Sequence, residues 1–450
     1  MNLNSIYNIY FIGIGGIGMS ALARYFVANN KNVAGYDKTQ TEITDGLESL
    51  GINVHFDDNV SNVSSQFKNI EDTLVVYTPA VPNIQSELVY FKENGFMVLK
   101  RSQVLGVITE NTICLAVAGT HGKTTTTSIL GHLLKECDVE VTAFLGGISE
   151  NYNSNLILHG NKVSVVEADE YDRSFLTLSS DYACITSMDA DHLDVYGDSD
   201  SLQKSFVKFT ERLKPNGKLF VKKGLPIKGI TYAIEEDADY TATNIRIENG
   251  TYVFDVKTPN QNIYNVLFNL PGRHNLSNAL IALAMAVEFG CAPYSLARAL
   301  ASYKGVKRRF TYHIKTDDLV FIDDYAHHPN EINAVHQAVR EMYPKKEVLA
   351  VFQPHLFSRT KDFIDEFAKS LSQFDAVLLL EIYPARELPI EGVTSKWLLS
   401  KIKNPKKKLI SKSEIVSEIK KSNAQIIMTL GAGDIGIEVK HIKEELSIAS

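Results

Sequence analysis

Two glycine-rich turns, each set between a short apolar run and a helical pattern, do most to fix what this chain can fold into. GIGGIG at residues 13–18 follows the apolar run YNIYFIG (7–13), and GTHGKTT at 119–125 follows NTICLAVAG (111–119). A strand that turns on glycine straight into a helix opens a parallel β–α–β unit, so the chain reads as α/β with at least two such units. Further strands are expected at 32–37, 73–82 and 96–100, then at 162–169, 182–188 and 217–221, and later at 319–324, 347–354, 376–383 and 425–433. Between them, residues 230–270 alternate polar and apolar positions and read as a small antiparallel excursion, and 277–290 reads as a helix ending at Gly290. At 450 residues the chain is long enough for about three domains.

The second turn carries the more specific chemistry. The helix that begins near Thr124 presents free N–H groups and a positive dipole end to an anion. Gly119 and Gly122 let the backbone approach closely, with Thr120, His121 and Thr125 completing the loop. Lys123 supplies positive charge to the β- and γ-phosphates of ATP, and Thr124 offers a hydroxyl to Mg²⁺. The spacing departs from GxxxxGK[ST], which needs glycine where Val117 stands.

Two acidic clusters follow the next strands. VVEADEYD (165–172) holds Glu167, Asp169, Glu170 and Asp172, and MDADHLD (188–194) places His192 between Asp191 and Asp194. Ligands of parallel sheets gather at the carboxyl ends of strands, so Glu167 and His192 are expected to meet the phosphate loop. Oxygen ligands of this kind suit Mg²⁺. The first turn, with Gly13, Gly15, Gly16 and Gly18 and with Asp37 closing the next strand, satisfies the dinucleotide-binding pattern of a Rossmann unit. Physically it requires only a diphosphate on a helix N-terminus, so a nucleotide sugar fits as well as NAD.

The balance of charge removes other classes. A net charge of −7 offers no basic field for nucleic acid, and the Lys406–Lys408 run reads as a solvated loop. The four cysteines, Cys114, Cys137, Cys184 and Cys291, have no metal or disulfide spacing. No secretory pattern and no apolar run of about 20 residues is present, so a cytoplasmic enzyme without a membrane partner is expected.

Taken together, GIGGIGMS, AGTHGKTTTT, EADEYDRSFL, DADHLDVY, LPGRHNLSNA, RRF, DDYAHHPNEI, FQPHLFSRT and GAGDI resemble, in order from about residue 8 to 436, the Mur ligases of peptidoglycan synthesis, most closely those that add alanine. The resemblance implies an N-terminal Rossmann-like domain for the UDP-sugar (1–107), a central P-loop-type ATPase domain (108–307) and a C-terminal Rossmann-like domain for the amino acid (308–450). It implies that ATP phosphorylates the lactyl carboxylate of UDP-N-acetylmuramate and that L-alanine then displaces phosphate. By the same resemblance Asn275 and Asn278 lie near adenine. Arg309 and Asp324 are brought to the nucleotide, while His327, His328, His355 and Arg359 line the amino-acid site. His192 would hold or support a second metal, and the protein would be a monomer or weak homodimer.

Leu356 stands where many relatives have Arg, and Lys204 is not given the carbamoylated role found in sister ligases. An NAD-dependent oxidoreductase explains residues 7–37 but leaves GTHGKTT idle. A nucleotide-regulated switch leaves the acidic clusters idle, and a murein-recycling tripeptide ligase fits the glycine loop less well.

Overall fold

The computed structural model describes residues 6–189, 196, 198–248, 250–385 and 387–447, without the side chains of Asp172 and Ser199. The expected sites His192, Asp191 and Asp194 therefore lie outside the described residues. Two compact units divide the chain. One comprises 1–244, 254–267 and 278–304, and the other 245–253, 268–277 and 305–450. The N-terminal expected domain and most of the central one thus fall in one unit, while 245–253 and 268–277 of the central one fall in the other.

The first sheet holds β1 (Asn8–Ile12), β2 (Asn32–Tyr36), β3 (Asn53–His55), β4 (Thr73–Tyr77) and β5 (Met97–Lys100), in the order β3-β2-β1-β4-β5. All four pairings are parallel, the doubly wound pattern expected from helices on both faces. Alternation along β1 sends Ile9 and Phe11 into one core and Tyr10 and Ile12 into the other.

The second sheet has ten strands: β6 (Ile113–Ala118), β7 (Val141–Ser149), β8 (Ser154–Leu158), β9 (Val163–Ala168), β10 (Ser180–Ile185), β11 (Leu213–Lys222), β12 (Ile230–Ile234), β13 (Tyr240–Glu248), β14 (Thr251–Lys257) and β15 (Asn262–Phe268). Their order is β15-β14-β13-β12-β11-β10-β6-β9-β7-β8. β6 pairs in parallel with β10 on one side and β9 on the other, so the loops that follow these three strands emerge side by side. The expected excursion at 230–270 differs from this in part. β12 and β13 extend the sheet in parallel, and antiparallel pairing is confined to β13–β15, whose links of two and four residues permit nothing else.

The second unit carries β16 (Thr311–Lys315), β17 (Val320–Asp324), β18 (Val348–Phe352), β19 (Ala376–Leu379), β20 (Lys407–Leu409) and β21 (Ile426–Leu430), ordered β16-β17-β21-β18-β19-β20. β16 is an antiparallel edge and the rest are parallel. The sheet is covered on both faces, with Val320, Ile322 and Met428 in one core and Phe321, Val351 and Ile427 in the other.

Candidate active site

The phosphate loop takes its shape from two glycines that no other residue replaces cheaply. Gly119 has φ +131° and Gly122 has φ +84°. A Cβ on Gly119 would lie 2.1 Å from Thr186 Oγ1, and one on Gly122 would lie 2.5 Å from Asn278 Oδ1. Gly122 is the left-handed N-cap of the helix Lys123–Glu136, so the helix starts one residue earlier than expected.

The segment leaving β10 fastens the loop. Thr186 Oγ1 donates to the His121 carbonyl at 2.5 Å, and the His121 N–H donates to Ser187 Oγ at 2.8 Å. Thr120 and Ser187 hydroxyls lie 2.9 Å apart, and the Asp189 N–H reaches Thr120 Oγ1 at 3.0 Å. His121 Nε2 is 3.5 Å from Asp189 Oδ2. Thr125 is buried in the first turn.

β9 delivers two carboxylates to the other side. Glu167 accepts the Thr124 hydroxyl at 3.1 Å and the Gly146 N–H at 2.5 Å. Burial raises its pKa, opposed by the Gly146 amide and by Lys123. Gly146 is exposed, and a Cβ there would fall 2.6 Å from the Glu167 carboxylate. Lys123 Nζ donates to the Gly119 carbonyl at 2.8 Å and to Glu170 at 2.9 and 2.7 Å. Burial disfavours the ammonium, but Glu170, then Asp169 and Glu167, outweigh it and hold its pKa up at about 12.

The first glycine turn lies across a cleft from this group. Gly13 has φ +86°, and the Gly15 N–H donates to Asp37 Oδ2 at 2.7 Å. Gly16 caps the helix Ile17–Ala28, and Gly18 sits under Arg101, whose Nη1 would be 3.0 Å from an added Cβ. A cavity of about 250 Å³ extends from Gly16, Gly18 and Arg101 to Gly146 and Glu167. Asn155 on β8 fixes that helix, donating to the Ile17 carbonyl at 2.6 Å and to Ser20 Oγ at 2.8 Å. Arg101, Gly146, Thr186 and Ser187 were not among the sequence candidates. Glu170 was seen only as part of an acidic cluster, with Lys123 as its undetected partner.

In the second unit Asp324, His328, Asn275 and Arg359 are buried, and Arg309, His327 and His355 are half-buried. Asp324 accepts the N–H groups of Phe310 and Ala326, each at 2.7 Å, so it ties the residue before β16 to the loop after β17. Burial raises its pKa to about 7 against the opposing pull of Arg309. Arg309 lies over the Tyr325 ring at 5.1 Å and 3.9 Å from Glu331. Arg308 instead serves structure, bonding Asp323 and the Gly431 carbonyl.

His328 is the buried N-cap of the helix Pro329–Met342 and packs on Phe363. His327 faces His355, ring centroids 5.8 Å apart, and His355 Nδ1 is 3.4 Å from Arg359 Nη1. Those three form a compact group, whereas His328 is turned into the packing beneath them. Leu356 holds φ +72° as N-cap of the short helix Phe357–Asp362. Asn275, also buried, donates to the Pro271 carbonyl at 2.7 Å. Lys204 is exposed.

Among the described residues no group of three or more His, Cys, Asp and Glu is arranged to hold a metal ion, and no helix is long and apolar enough to cross a membrane.

Known proteins resemble this chain over nearly its whole length. Residues 8–112 match the profile described as Mur ligase family, catalytic domain, residues 117–286 the Mur ligase middle domain, and residues 308–437 the Mur ligase, glutamate ligase domain. UDP-N-acetylmuramate–L-alanine ligase of Flavobacterium psychrophilum is 62% identical over 446 residues, and that of Flavobacterium johnsoniae 60% over 447, with 99% of each chain covered. Among solved structures, the UDP-N-acetylmuramate-alanine ligase of Thermotoga maritima superposes with a TM-score of 0.84 at 28% identity, covering 98% of this chain and 100% of that one. A murein peptide ligase from Psychrobacter arcticus shares the fold, with a TM-score of 0.71 at 22% identity over 98% of both chains. With the paired glycine turns, the loop-bound carboxylates and these likenesses in agreement, the chain belongs to the Mur ligase family.

Proposed function

We propose that this protein is an ATP-dependent ligase of peptidoglycan synthesis that joins UDP-N-acetylmuramate to L-alanine, releasing ADP and phosphate. The observation that carries the reading is the cleft between Arg101 with the first glycine turn and Glu167 with the phosphate loop. A diphosphate at one end of it would direct a sugar acid toward a γ-phosphate at the other. The relatives at 62% and 60% identity bear the name of this activity.

In the proposed reaction a lactyl carboxylate oxygen attacks the γ-phosphorus and ADP departs. The alanine amine then attacks the acyl carbon and phosphate leaves. Such chemistry asks the protein for positioning and charge rather than covalent participation. Lys123 and the N–H groups at the start of the helix Lys123–Glu136 hold the phosphates, and Asn275 and Asn278 serve the adenosine side. Thr124 and Glu167, oxygen donors 3.1 Å apart beside that helix start, fit one Mg²⁺. When bound, the ion neutralises charge on the phosphates. His192 is assigned to a second metal.

Arg359, with His327 and His355, suits the carboxylate of an amino acid. Arg309 is assigned to the nucleotide, and Asp324 supports the backbone at Phe310, next to it, and at Ala326. The domain limits 1–107, 108–307 and 308–450 follow the same division of labour. A cytoplasmic monomer or weak homodimer, with no nucleic-acid or membrane partner, accords with its nucleotide substrates and acidic charge.

The test is phosphate release from purified protein. It should require ATP, UDP-N-acetylmuramate and L-alanine together. Release with a tripeptide but not with alanine would assign the protein to peptide recycling. Reduction of NAD without phosphate release would remove the ligase reading.

A further inference from the structure

Lys123 presents a problem that the phosphate-loop reading does not address. An ammonium has three N–H donors. Here its nitrogen faces three acceptors, the Gly119 carbonyl and both oxygens of Glu170, all within 2.9 Å. The lysine expected to bind the β- and γ-phosphates therefore has its hydrogen-bonding capacity already engaged. Its partner is fully buried, and the lysine is nearly so.

Glu170 is also held from behind. Its carbonyl accepts the Tyr196 hydroxyl at 2.6 Å and the Arg173 N–H at 2.9 Å. Glu167 is engaged elsewhere, on Thr124 and Gly146. The two glutamates thus divide the loop, one beside the hydroxyl and one clasping the ammonium.

Without nucleotide, a buried ammonium needs an anion close by. A carboxylate with both oxygens on that ammonium imitates two oxygens of a phosphate. We propose that Glu170 is a placeholder, occupying between turnovers the place on Lys123 that the β/γ-phosphate oxygens of ATP take, and that nucleotide binding exchanges one anion for the other. The inference rests on the phosphate-loop assignment above and adds to it a positioning residue. Glu170 keeps Lys123 charged and aimed between turnovers. Because it competes with phosphate, it weakens nucleotide binding and eases the departure of ADP as it returns to the lysine.

The experiment is calorimetric titration of the full chain with Mg²⁺ and ADP, Mg²⁺ and a non-hydrolysable ATP analogue, and AMP. Glu170→Gln keeps the shape but removes the competing charge. Its Kd for ADP and for the ATP analogue should fall at least fivefold below wild type. AMP, which lacks the displacing phosphates, should change less than twofold, and so should UDP-N-acetylmuramate. Glu170→Asp retains the charge on a shorter arm, and its nucleotide Kd should fall between those of wild type and Gln. If Gln does not fold, this variant alone decides. Unchanged or weaker ADP binding in the folded variants would overturn the exchange while leaving the phosphate loop intact. A wild-type protein that binds none of the adenine nucleotides overturns both readings.

Discussion

Gly146→Ala separates the geometry of the Glu167 carboxylate from the stability of the fold. Gly146 is exposed and its φ is not positive, so alanine meets no backbone penalty there. The added Cβ would lie 2.6 and 2.7 Å from the two Glu167 oxygens, whereas ordinary contact begins at 3.4 Å. The carboxylate must therefore retreat by about 0.8 Å, carrying its acceptors away from the Thr124 hydroxyl and the Gly146 N–H; misplacement on the order of 1 Å costs about 10²-fold in rate. The assay is steady-state phosphate release across Mg²⁺ concentrations, beside thermal unfolding of the same preparations. We expect kcat to fall between about 10- and 100-fold and the Mg²⁺ requirement to rise, while stability changes by less than about 1 kcal/mol. A kcat within twofold of wild type would refute the reasoning, since the carboxylate's position would then be unimportant.

Lys123→Ala should lose about 10²-fold or more in turnover, as does removal of one positioned electrostatic group. Steady-state kinetics at saturating substrates checks it, and near-normal turnover would end the phosphate assignment. Arg359→Lys should raise the KM for L-alanine about tenfold or more while leaving that for ATP within twofold, because an ammonium does not reproduce the planar two-pronged grip of guanidinium; equal changes in both would place Arg359 elsewhere. Glu87, buried beneath β1 with the Tyr10 hydroxyl at 2.9 Å, is pushed by burial from 4.5 up to about 7. The folded state therefore favours its protonated form, and the stability this confers is complete below pH 4.5 and lost as pH rises to about 7. Glu87→Gln should flatten the fall in Tm across that interval, an effect of about 3 kcal/mol; a pH profile parallel to wild type would contradict it.

The phosphate loop was legible because glycine leaves few alternatives. Gly119 and Gly122 adopt backbone angles that other residues avoid, and the strand and helix on either side announce themselves by apolar period. Glu170 was harder. Sequence placed it in a cluster of acids, but which of them turns toward Lys123 depends on the backbone leaving β9, and periodicity stops where the strand does. His328 illustrates a signal present but read differently: Pro329 and Glu331 after it are the marks of a helix start, and the histidine is its cap. The edge strand β16 escaped because Thr311–Lys315 is only half-buried and mostly polar. Asp324 was a candidate only through the resemblance, and nothing local in the sequence announces that its oxygens accept two backbone amides.

The bonds from Asn155 to the Ile17 carbonyl and Ser20 have a consequence for substrate choice. They lock the helix bearing the first glycine turn to β8, the edge strand of the ten-stranded sheet, and so fix the separation between the two ends of the cleft. If the proposed nucleotide sugar is held by its diphosphate at the first turn, that fixed separation selects sugar acids by length.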